Sequence, residues 1–190
     1  MTPEEAARLL ENHGAILRGH FKLSSGRHSD VYVEKARILE QPEATVAVGR
    51  AMASWYPEVD VVVAPAVGAI VLGFAVALAA GARSVYAERQ GDRMRLRRGF
   101  RVIAGERALV VEDVVTTGAS AREVYELLEE TGAERLGVAA LVDRTTDSVP
   151  FPFRALVRVD ASSWDPAECL LCTQGRPFDS PGSRYLQGSR

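Results

Sequence analysis

The sequence contains few of the residues on which several common kinds of site depend. Only two cysteines, three histidines and two lysines occur among its 190 residues. Cys169 and Cys172 form a single C-x-x-C pair, whereas a structural zinc site needs about four ligands and the chain has no second cysteine pair. A redox C-x-x-C would normally follow an early strand, and this pair lies near the C-terminus. The sequence therefore favours free thiols over a disulfide or a zinc site shared between subunits.

Charge and hydropathy give no indication of a nucleic-acid or membrane partner. The net charge is −2, with 47% hydrophobic and 25% charged residues, which is ordinary for one globular domain. The longest apolar run, residues 64–82, is rich in alanine and glycine and contains Pro65, so it predicts a strand end, a turn and a buried helix. The first residues, Thr2-Pro-Glu-Glu5, are typical of a capped helix and not of a signal peptide. We expect a cytoplasmic protein.

Two common phosphate-binding motifs are also absent: a Walker-type Gly-Lys-Ser/Thr, and a dinucleotide G-x-G-x-x-G after a strand. Residues 108–120 indicate another kind of phosphate site. Ala108–Val111 predicts a buried parallel strand, Glu112 and Asp113 follow, and residues 116–120 turn the chain into a helix. The N–H groups and dipole of a helix N-terminus favour an anion. Two carboxylates beside that anion can accept hydrogen bonds from ribose hydroxyls, so the pattern indicates a phosphorylated sugar.

These residues resemble the phosphoribosyl pyrophosphate (PRPP) motif of the type I phosphoribosyltransferases. That motif has four apolar residues, two acids, two apolar residues, Thr, Thr or a small residue, Gly, and a small or hydroxyl residue. Every position matches here. An ordinary strand-to-helix turn is the alternative, but such a turn does not need adjacent acids followed by Thr-Thr-Gly. The resemblance implies PRPP contacts from Glu112, Asp113, Val114, Val115, Thr116, Thr117, Gly118, Ala119 and Ser120.

The segment 64–69 is similar to the loop with which this family binds pyrophosphate. Its residues are small, so backbone N–H groups could form an anion-binding nest. The resemblance implies contacts from Ala66 and Val67. The orotate branch of the family often has Lys where Val67 stands, so the charge that neutralises pyrophosphate must come from elsewhere.

Residues 88–99 contain five arginines at the place where the family closes a mobile loop over PRPP, often from the neighbouring subunit. Clustered like charges repel one another unless an anion compensates them. The resemblance implies that Arg89, Arg93 or Arg95 binds pyrophosphate, and Arg89 is the first choice because it directly follows a predicted strand. A solvated charged hairpin is the alternative.

Two further segments resemble the part of the orotate branch that recognises the base. Residues 19–29 contain the string Phe-x-Leu-x-Ser-Gly-x-x-Ser, which forms an N-terminal hood over the pyrimidine in that branch. The family's lysine in this string is Ser24 here, and Lys22 lies two residues earlier on the same face of a strand. Asp143 and Arg144 match an Asp-Arg whose guanidinium pairs with the orotate carboxylate; a surface ion pair is the alternative. The implied orotate contacts are Lys22, Ser24, Tyr32, Thr116 and Arg144.

Strands that alternate with helices predict an α/β protein with a doubly wound, mostly parallel sheet, and a ligand site at the carboxyl ends of its strands. The resemblance adds an N-terminal hood subdomain. We expect one phosphoribosyltransferase domain with the hood at 1–40, the core at 41–160 and an irregular tail at 161–190. Among the expected elements are a helix over residues 3–18 and strands over 100–103 and 108–111.

The resemblance implies an enzyme that transfers the 5-phosphoribosyl group from PRPP to orotate, in the biosynthesis of pyrimidines, with Glu112, Asp113 and Arg89 as catalytic groups. It also implies Mg²⁺ that PRPP and water hold, with no protein ligand set, and a homodimer whose subunits share the arginine-rich loop. A purine phosphoribosyltransferase would share the PRPP motif but neither the hood nor the Asp-Arg pair. A non-catalytic PRPP-sensing regulator is the alternative from another class.

Overall fold

The computed structural model of the protein describes residues 1–23, 25–160 and 162–179. They form two compact units. The first consists of residues 1–7 and 41–159, and the second of residues 8–40 with the described residues from 160 onwards. The division of one domain into hood, core and tail stays a prediction.

In chain order, the helices and strands are α1 (Pro3–Asn12), β1 (Ile16–Lys22), β2 (His28–Val33), α2 (Ala36–Leu39), α3 (Pro42–Ala53), β3 (Val61–Pro65), α4 (Ile70–Ala80), β4 (Arg83–Gln90), β5 (Arg93–Leu96), β6 (Arg107–Val115), α5 (Ala119–Glu130), β7 (Glu134–Asp143), β8 (Phe153–Arg158), β9 (Ser163–Trp164) and α6 (Leu170–Thr173). A short 3-10 helix, Pro166–Glu168, precedes α6.

The first unit is built on a six-stranded sheet in the order β5-β4-β3-β6-β7-β8. Every neighbouring pair is parallel except β4 and β5, which form an antiparallel hairpin at one edge. Helix α4 connects β3 to β4, and α5 connects β6 to β7. The predicted fold class, α/β with a doubly wound and mostly parallel sheet, is confirmed.

Helices cover both faces of this sheet, so its central strands are buried on both sides. Val61 and Val63 on β3 belong to an apolar cluster that also contains Ala121, Val124 and Leu128 of α5. Val62 and Ala64, which point to the opposite face, lie beside Gly73 of α4. All five residues of β3 are buried, which explains why its sequence is a continuous apolar run.

Helix α3 packs against α4 through a glycine. A Cβ atom added to Gly49 would lie 2.7 Å from the backbone carbon and oxygen of Ala75, and backbone atoms cannot move aside as a flexible side chain can.

We therefore expect Gly49→Ala to lower the free energy of unfolding by about 1–3 kcal/mol, although alanine is the better helix former. Urea denaturation would measure this. Arg50→Ala, at the exposed neighbouring position of the same helix, is the control and should change stability little; equal stabilities would contradict the close approach.

Two predicted elements were wrong. The helix expected over residues 3–18 ends at Asn12, because Gly14 adopts a left-handed φ of 68° and the Ala15 N–H donates to the Leu10 carbonyl, as in a Schellman C-cap. The strand expected over 100–103 is absent from the described residues. Gly99 has a φ of 78° and the Phe100 N–H donates to the Arg97 carbonyl, so the chain turns there instead of extending.

The second unit contains a three-stranded antiparallel sheet in the order β1-β2-β9. At the closed end of the β1–β2 hairpin, the Leu23 N–H donates to the Arg27 carbonyl over 2.8 Å. The register of β1 on β2 shifts between Arg18 and Phe21, which marks a β-bulge at Gly19 and His20. Because of this bulge His20 and Phe21 are both buried although they are adjacent. Within the described residues, no helix is long and apolar enough to cross a membrane.

Candidate active site

The two adjacent acids lie inside a strand, and the predicted strand 108–111 is therefore too short. β6 continues to Val115, and the parallel pairing with β7 continues with it. Glu112 and Asp113 are only 8% and 4% exposed. Backbone N–H groups satisfy one oxygen of each: the Asp113 N–H donates to Glu112 Oε1 over 3.0 Å, and the Val114 N–H donates to Asp113 Oδ1 over 2.6 Å. Two buried carboxylates are thus fixed at the carboxyl end of a central strand.

Residues 116–118 lead from β6 into α5 and border an open concavity of about 80 Å³. Gly118 adopts a φ of 72°, and a Cβ atom there would lie 3.1 Å from Val149 and 3.2 Å from Phe151, so both conformation and space require glycine. The first turn of the 12-residue α5 borders the concavity with its N–H groups and positive dipole end. The lining residues are Glu112, Val114, Val115, Thr116, Thr117, Gly118, Ala119, Ser120 and Ala121. This arrangement suits a phosphate group attached to a sugar that has several hydroxyl groups.

Ala66 and Val67 follow β3, the parallel neighbour of β6, so they lie at the same edge of the sheet as the concavity. The Ala66 N–H donates to the Ala87 carbonyl over 2.8 Å, and the peptide bond between Ala66 and Val67 is cis. Val67 is 81% exposed, an unusual position for an apolar side chain and one that a ligand could cover.

The arginine-rich segment contains the hairpin of β4 and β5, with Gly91 and Asp92 at its turn. Met94 in β5 is buried in the same apolar cluster as α5, which attaches the hairpin to the core. Arg93 and Arg95 alternate with Met94 and are exposed. The segment is therefore a charged hairpin in structure, and Arg93 and Arg95 are two of its exposed arginines.

Arg89 and Arg98 each pair with a carboxylate. Arg89 Nη2 lies 2.8 Å from Glu123 Oε1, in the second turn of α5, and Arg98 donates two bonds of 2.9 Å to Glu88. The hydrogen bond with Glu123 raises the pKa of Arg89, and the bond from Arg98 lowers the pKa of Glu88. The second oxygen of Glu123 is buried without a hydrogen-bond partner among the described residues. Sequence reasoning missed Glu123, whose only sequence signal is its place five residues after Gly118.

Arg144 directly follows β7, which lies next to β6, and its N–H donates to the Val115 carbonyl over 2.8 Å. This bond places Arg144 beside the start of the loop at Thr116. The Asp143 carboxylate accepts bonds from Thr145 and, over 2.7 Å, from Arg158 Nη1. Asp143 therefore orders the turn that carries Arg144. Arg158 is a second residue that sequence reasoning missed, since only the register of β7 on β8 brings it to Asp143.

Five groups of predicted residues in the first unit thus lie at or directly after the carboxyl ends of the neighbouring parallel strands β4, β3, β6 and β7: the acids, the loop 116–120, residues 66 and 67, the arginines of the hairpin, and Arg144. The predicted contacts Lys22 and Tyr32 belong to the second unit, where Lys22 ends β1 and the Tyr32 ring lies 5.6 Å from that of Phe21. Ser24 lies outside the described residues.

Known proteins are similar to this chain over most of its length. The phosphoribosyl transferase domain model matches residues 35–151, more than half of the chain. A Thermotoga petrophila protein named orotate phosphoribosyltransferase is 49% identical over 183 residues, which cover 94% of this chain and 98% of that protein. A Caldanaerobacter subterraneus protein of the same name is 43% identical and covers 98% of this chain and 100% of its own.

A solved structure is also similar. Orotate phosphoribosyltransferase from Aeropyrum pernix superposes with a TM-score of 0.68 at 25% identity, over 80% of this chain and 93% of that one. The match to the family model includes β6, the two acids and the loop 116–120. The predicted family and enzyme class are confirmed, and the chain belongs to the orotate phosphoribosyltransferase family.

Proposed function

We propose that this protein transfers the 5-phosphoribosyl group of PRPP to a ring nitrogen of orotate, which forms orotidine 5′-monophosphate and releases pyrophosphate. The observation that carries this proposal is the pair of buried carboxylates, Glu112 and Asp113, in β6 where it leads into a loop capped by the N-terminus of α5. In PRPP the 5′-phosphate lies next to the ribose hydroxyls. In this protein the loop that can bind a phosphate lies next to the carboxylates that can bind hydroxyls.

In the proposed complex the loop 116–120 binds the 5′-phosphate, and Glu112 and Asp113 accept hydrogen bonds from the ribose hydroxyls. The reaction breaks the bond from the anomeric carbon to pyrophosphate and forms a bond from that carbon to orotate. Positive charge develops on the sugar as the leaving group departs. Two fixed negative charges next to that ring stabilise the transition state more than the ground state. Orotate already carries a negative charge, so the protein needs no strong base and acts mainly through positioning and electrostatics.

The leaving pyrophosphate is assigned to Ala66 and Val67 and to the arginines of the hairpin. Arg89 is the first choice because Glu123 holds its guanidinium within the first two turns of α5. Arg93 and Arg95 are exposed on β5 and add positive charge at the same hairpin. The departing group is highly charged, so cations close to it lower the barrier.

The orotate carboxylate is assigned to Arg144, whose backbone is fixed beside Val115, and Thr116 is the adjacent loop residue. Lys22, Ser24 and Tyr32 complete the proposed base-binding set. A guanidinium pairs with a carboxylate through two parallel bonds, so Arg144 would select for the one group that distinguishes orotate from uracil.

Mg²⁺, a homodimer and a cytoplasmic location complete the proposal, with no nucleic-acid or membrane partner. Magnesium prefers oxygen ligands and keeps several waters. The concavity is lined by the Glu112 carboxylate and by hydroxyl and backbone groups, which fits an ion held mainly by PRPP and water, and the ion would reduce the negative charge of pyrophosphate when bound.

One assay tests the function. The protein is mixed with PRPP, Mg²⁺ and one base at a time, and pyrophosphate release is measured with orotate, uracil, adenine, hypoxanthine and guanine. We expect release with orotate far above the others. Release with a purine would indicate a purine phosphoribosyltransferase, and PRPP binding without release on any base would indicate the regulator.

The shared loop has its own prediction. Arg89→Ala and Asp113→Asn should each be nearly inactive, yet a mixture after subunit exchange should regain at most about a quarter of wild-type activity, because half of the dimers are mixed and one of their two sites has both residues. Native mass spectrometry verifies the exchange. Absence of rescue in a verified mixture would show that Arg89 serves its own subunit, in which it already pairs with Glu123.

A further inference from the structure

Four side chains with metal-binding atoms converge in the second unit, and none of the four is assigned to the reaction. They are His20, His28, Cys169 and Cys172, and their ligand atoms all lie within 4.8 Å of one another. Four of their six separations are short and similar to one another. His20 Nε2 lies 3.5 Å from His28 Nδ1 and from Cys169 Sγ, and Cys172 Sγ lies 3.7 Å from His20 Nε2 and 3.3 Å from His28 Nδ1.

These separations match a tetrahedral zinc site. With Zn–S bonds of about 2.3 Å and Zn–N bonds of about 2.05 Å at tetrahedral angles, neighbouring donors lie about 3.3–3.8 Å apart. The four separations of 3.3–3.7 Å fall within this range. Two sulfurs and two imidazole nitrogens are a donor set typical of zinc rather than of magnesium or calcium.

The fold orients His20 as a ligand. The bulge at Gly19 and His20 turns the imidazole inward, where it is 1% exposed. Its backbone is fixed from both sides, because its N–H donates to Asp179 Oδ2 over 2.9 Å and its carbonyl accepts from the Asp179 N–H over 2.7 Å. A Cβ at Gly19 would collide with that Asp179 carboxylate.

The second ring nitrogen of His20 makes the bond expected of a metal ligand. Nδ1 lies 2.7 Å from the Arg176 carbonyl, which can only accept, so Nδ1 carries the proton. Nε2 therefore presents its lone pair to the two sulfurs and to His28. A histidine that binds a metal almost always donates its other N–H in this way, since the bond fixes the tautomer and the ring.

The two cysteines and an aromatic ring complete the surroundings. Cys169 lies between the 3-10 helix and α6, and its carbonyl accepts from the N–H and the hydroxyl of Thr173. The Phe178 ring lies 4.1 Å from that of His20 and 4.8 Å from that of His28, so it covers the imidazoles with an apolar surface. Both cysteines are free thiols.

We propose that His20, His28, Cys169 and Cys172 bind one zinc ion in a closed structural site. All four positions of the tetrahedron come from the protein, so no position is open to substrate or to an activated water. The ion joins the β1–β2 hairpin to the 3-10 helix and α6, two segments that are more than 130 residues apart in the sequence. Such a cross-link stabilises the folded unit, because the unfolded chain has no preformed site.

Metal analysis of the full chain tests the proposal. The protein is prepared under reducing conditions, with any affinity tag removed, and zinc per chain is measured by mass spectrometry. We expect about one zinc per chain. His28→Gln and Cys172→Ser each remove one of the four ligands, so each should lower the zinc affinity by more than the roughly 10–100-fold that loss of an outer-shell partner costs. His13→Gln is the matched control, since His13 is the third histidine of the chain and lies in the turn after α1, and it should keep the full zinc content.

Cobalt substitution makes the test independent of folding defects in the variants. The wild-type protein loaded with Co²⁺ should show the intense visible bands of tetrahedral cobalt and sulfur-to-cobalt charge transfer, and zinc should displace them. A chelator strong enough to remove zinc should lower the Tm of the wild type and leave that of Cys172→Ser unchanged. Three results would overturn the proposal. The first is a zinc-free wild type that binds neither ion, and the second is a cobalt spectrum typical of octahedral coordination. The third is a Cys169–Cys172 disulfide in the freshly reduced and buffer-exchanged protein.

Discussion

Asp113→Asn is expected to lower the rate of the chemical step by about 10²–10³-fold while the protein remains folded. The change removes one negative charge next to the ribose, and that charge is most valuable when positive charge has developed on the sugar. Asp113 is only 4% exposed, so little water screens the interaction. The amide oxygen of asparagine can still accept the bond of 2.6 Å from the Val114 N–H, and the fold therefore keeps that contact.

A single-turnover experiment with PRPP and orotate measures this rate apart from product release, and thermal unfolding verifies the fold. Glu130→Gln is the control, because it removes one negative charge at the exposed C-terminal end of α5, about 17 Å along the helix from the loop. The control should react at the wild-type rate. A normal single-turnover rate in Asp113→Asn would exclude Asp113 from the site.

The part of the site that could be predicted from sequence is the part that is local in the chain. Residues 108–120 contain a strand, two acids, a left-handed glycine and a helix start within one short segment, so their pattern already determines their arrangement. The parallel sheet then places Ala66 and Arg144 at the same edge, because all carboxyl ends of parallel strands lie there. The extent of β6 was underestimated, since an acidic pair does not normally continue a buried strand.

The rest depends on contacts between distant residues, for which the sequence carries no local signal. Nothing near Arg89 in the chain indicates that Glu123 is its partner. The C-x-x-C pair by itself indicates free thiols, because the chain has no second cysteine pair. The two histidines that approach the cysteines lie on a hairpin near the other end of the chain. A β-bulge, for which the sequence has no recognisable signal, turns His20 towards the cysteines. The helix expected over 3–18 is an exception, because it ends early for a local reason: Gly14 adopts a left-handed conformation and forms its C-cap.

Selectivity for orotate over uracil is the second large effect that we expect. Uracil is orotate without the carboxylate, so the ratio of their kcat/KM values measures what that group contributes. A lost charge-matched hydrogen-bonded pair in a partly buried site costs on the order of 2–4 kcal/mol, or about 30- to 800-fold. Arg144 is the expected partner, since its N–H bond to the Val115 carbonyl and the bonds that Asp143 accepts fix its position at the loop.

Arg144→Gln should therefore lower kcat/KM for orotate by most of that factor and leave kcat/KM for uracil almost unchanged, so that the two substrates become similar. A purely structural role of Arg144 would instead lower both values together. Arg50→Gln removes an exposed arginine from α3 and should preserve the selectivity of the wild type. If the wild type used uracil as well as orotate, or if Arg144→Gln reduced both substrates equally, the carboxylate would have another partner. Lys22, which ends β1 in the second unit, would then be the next cation to replace.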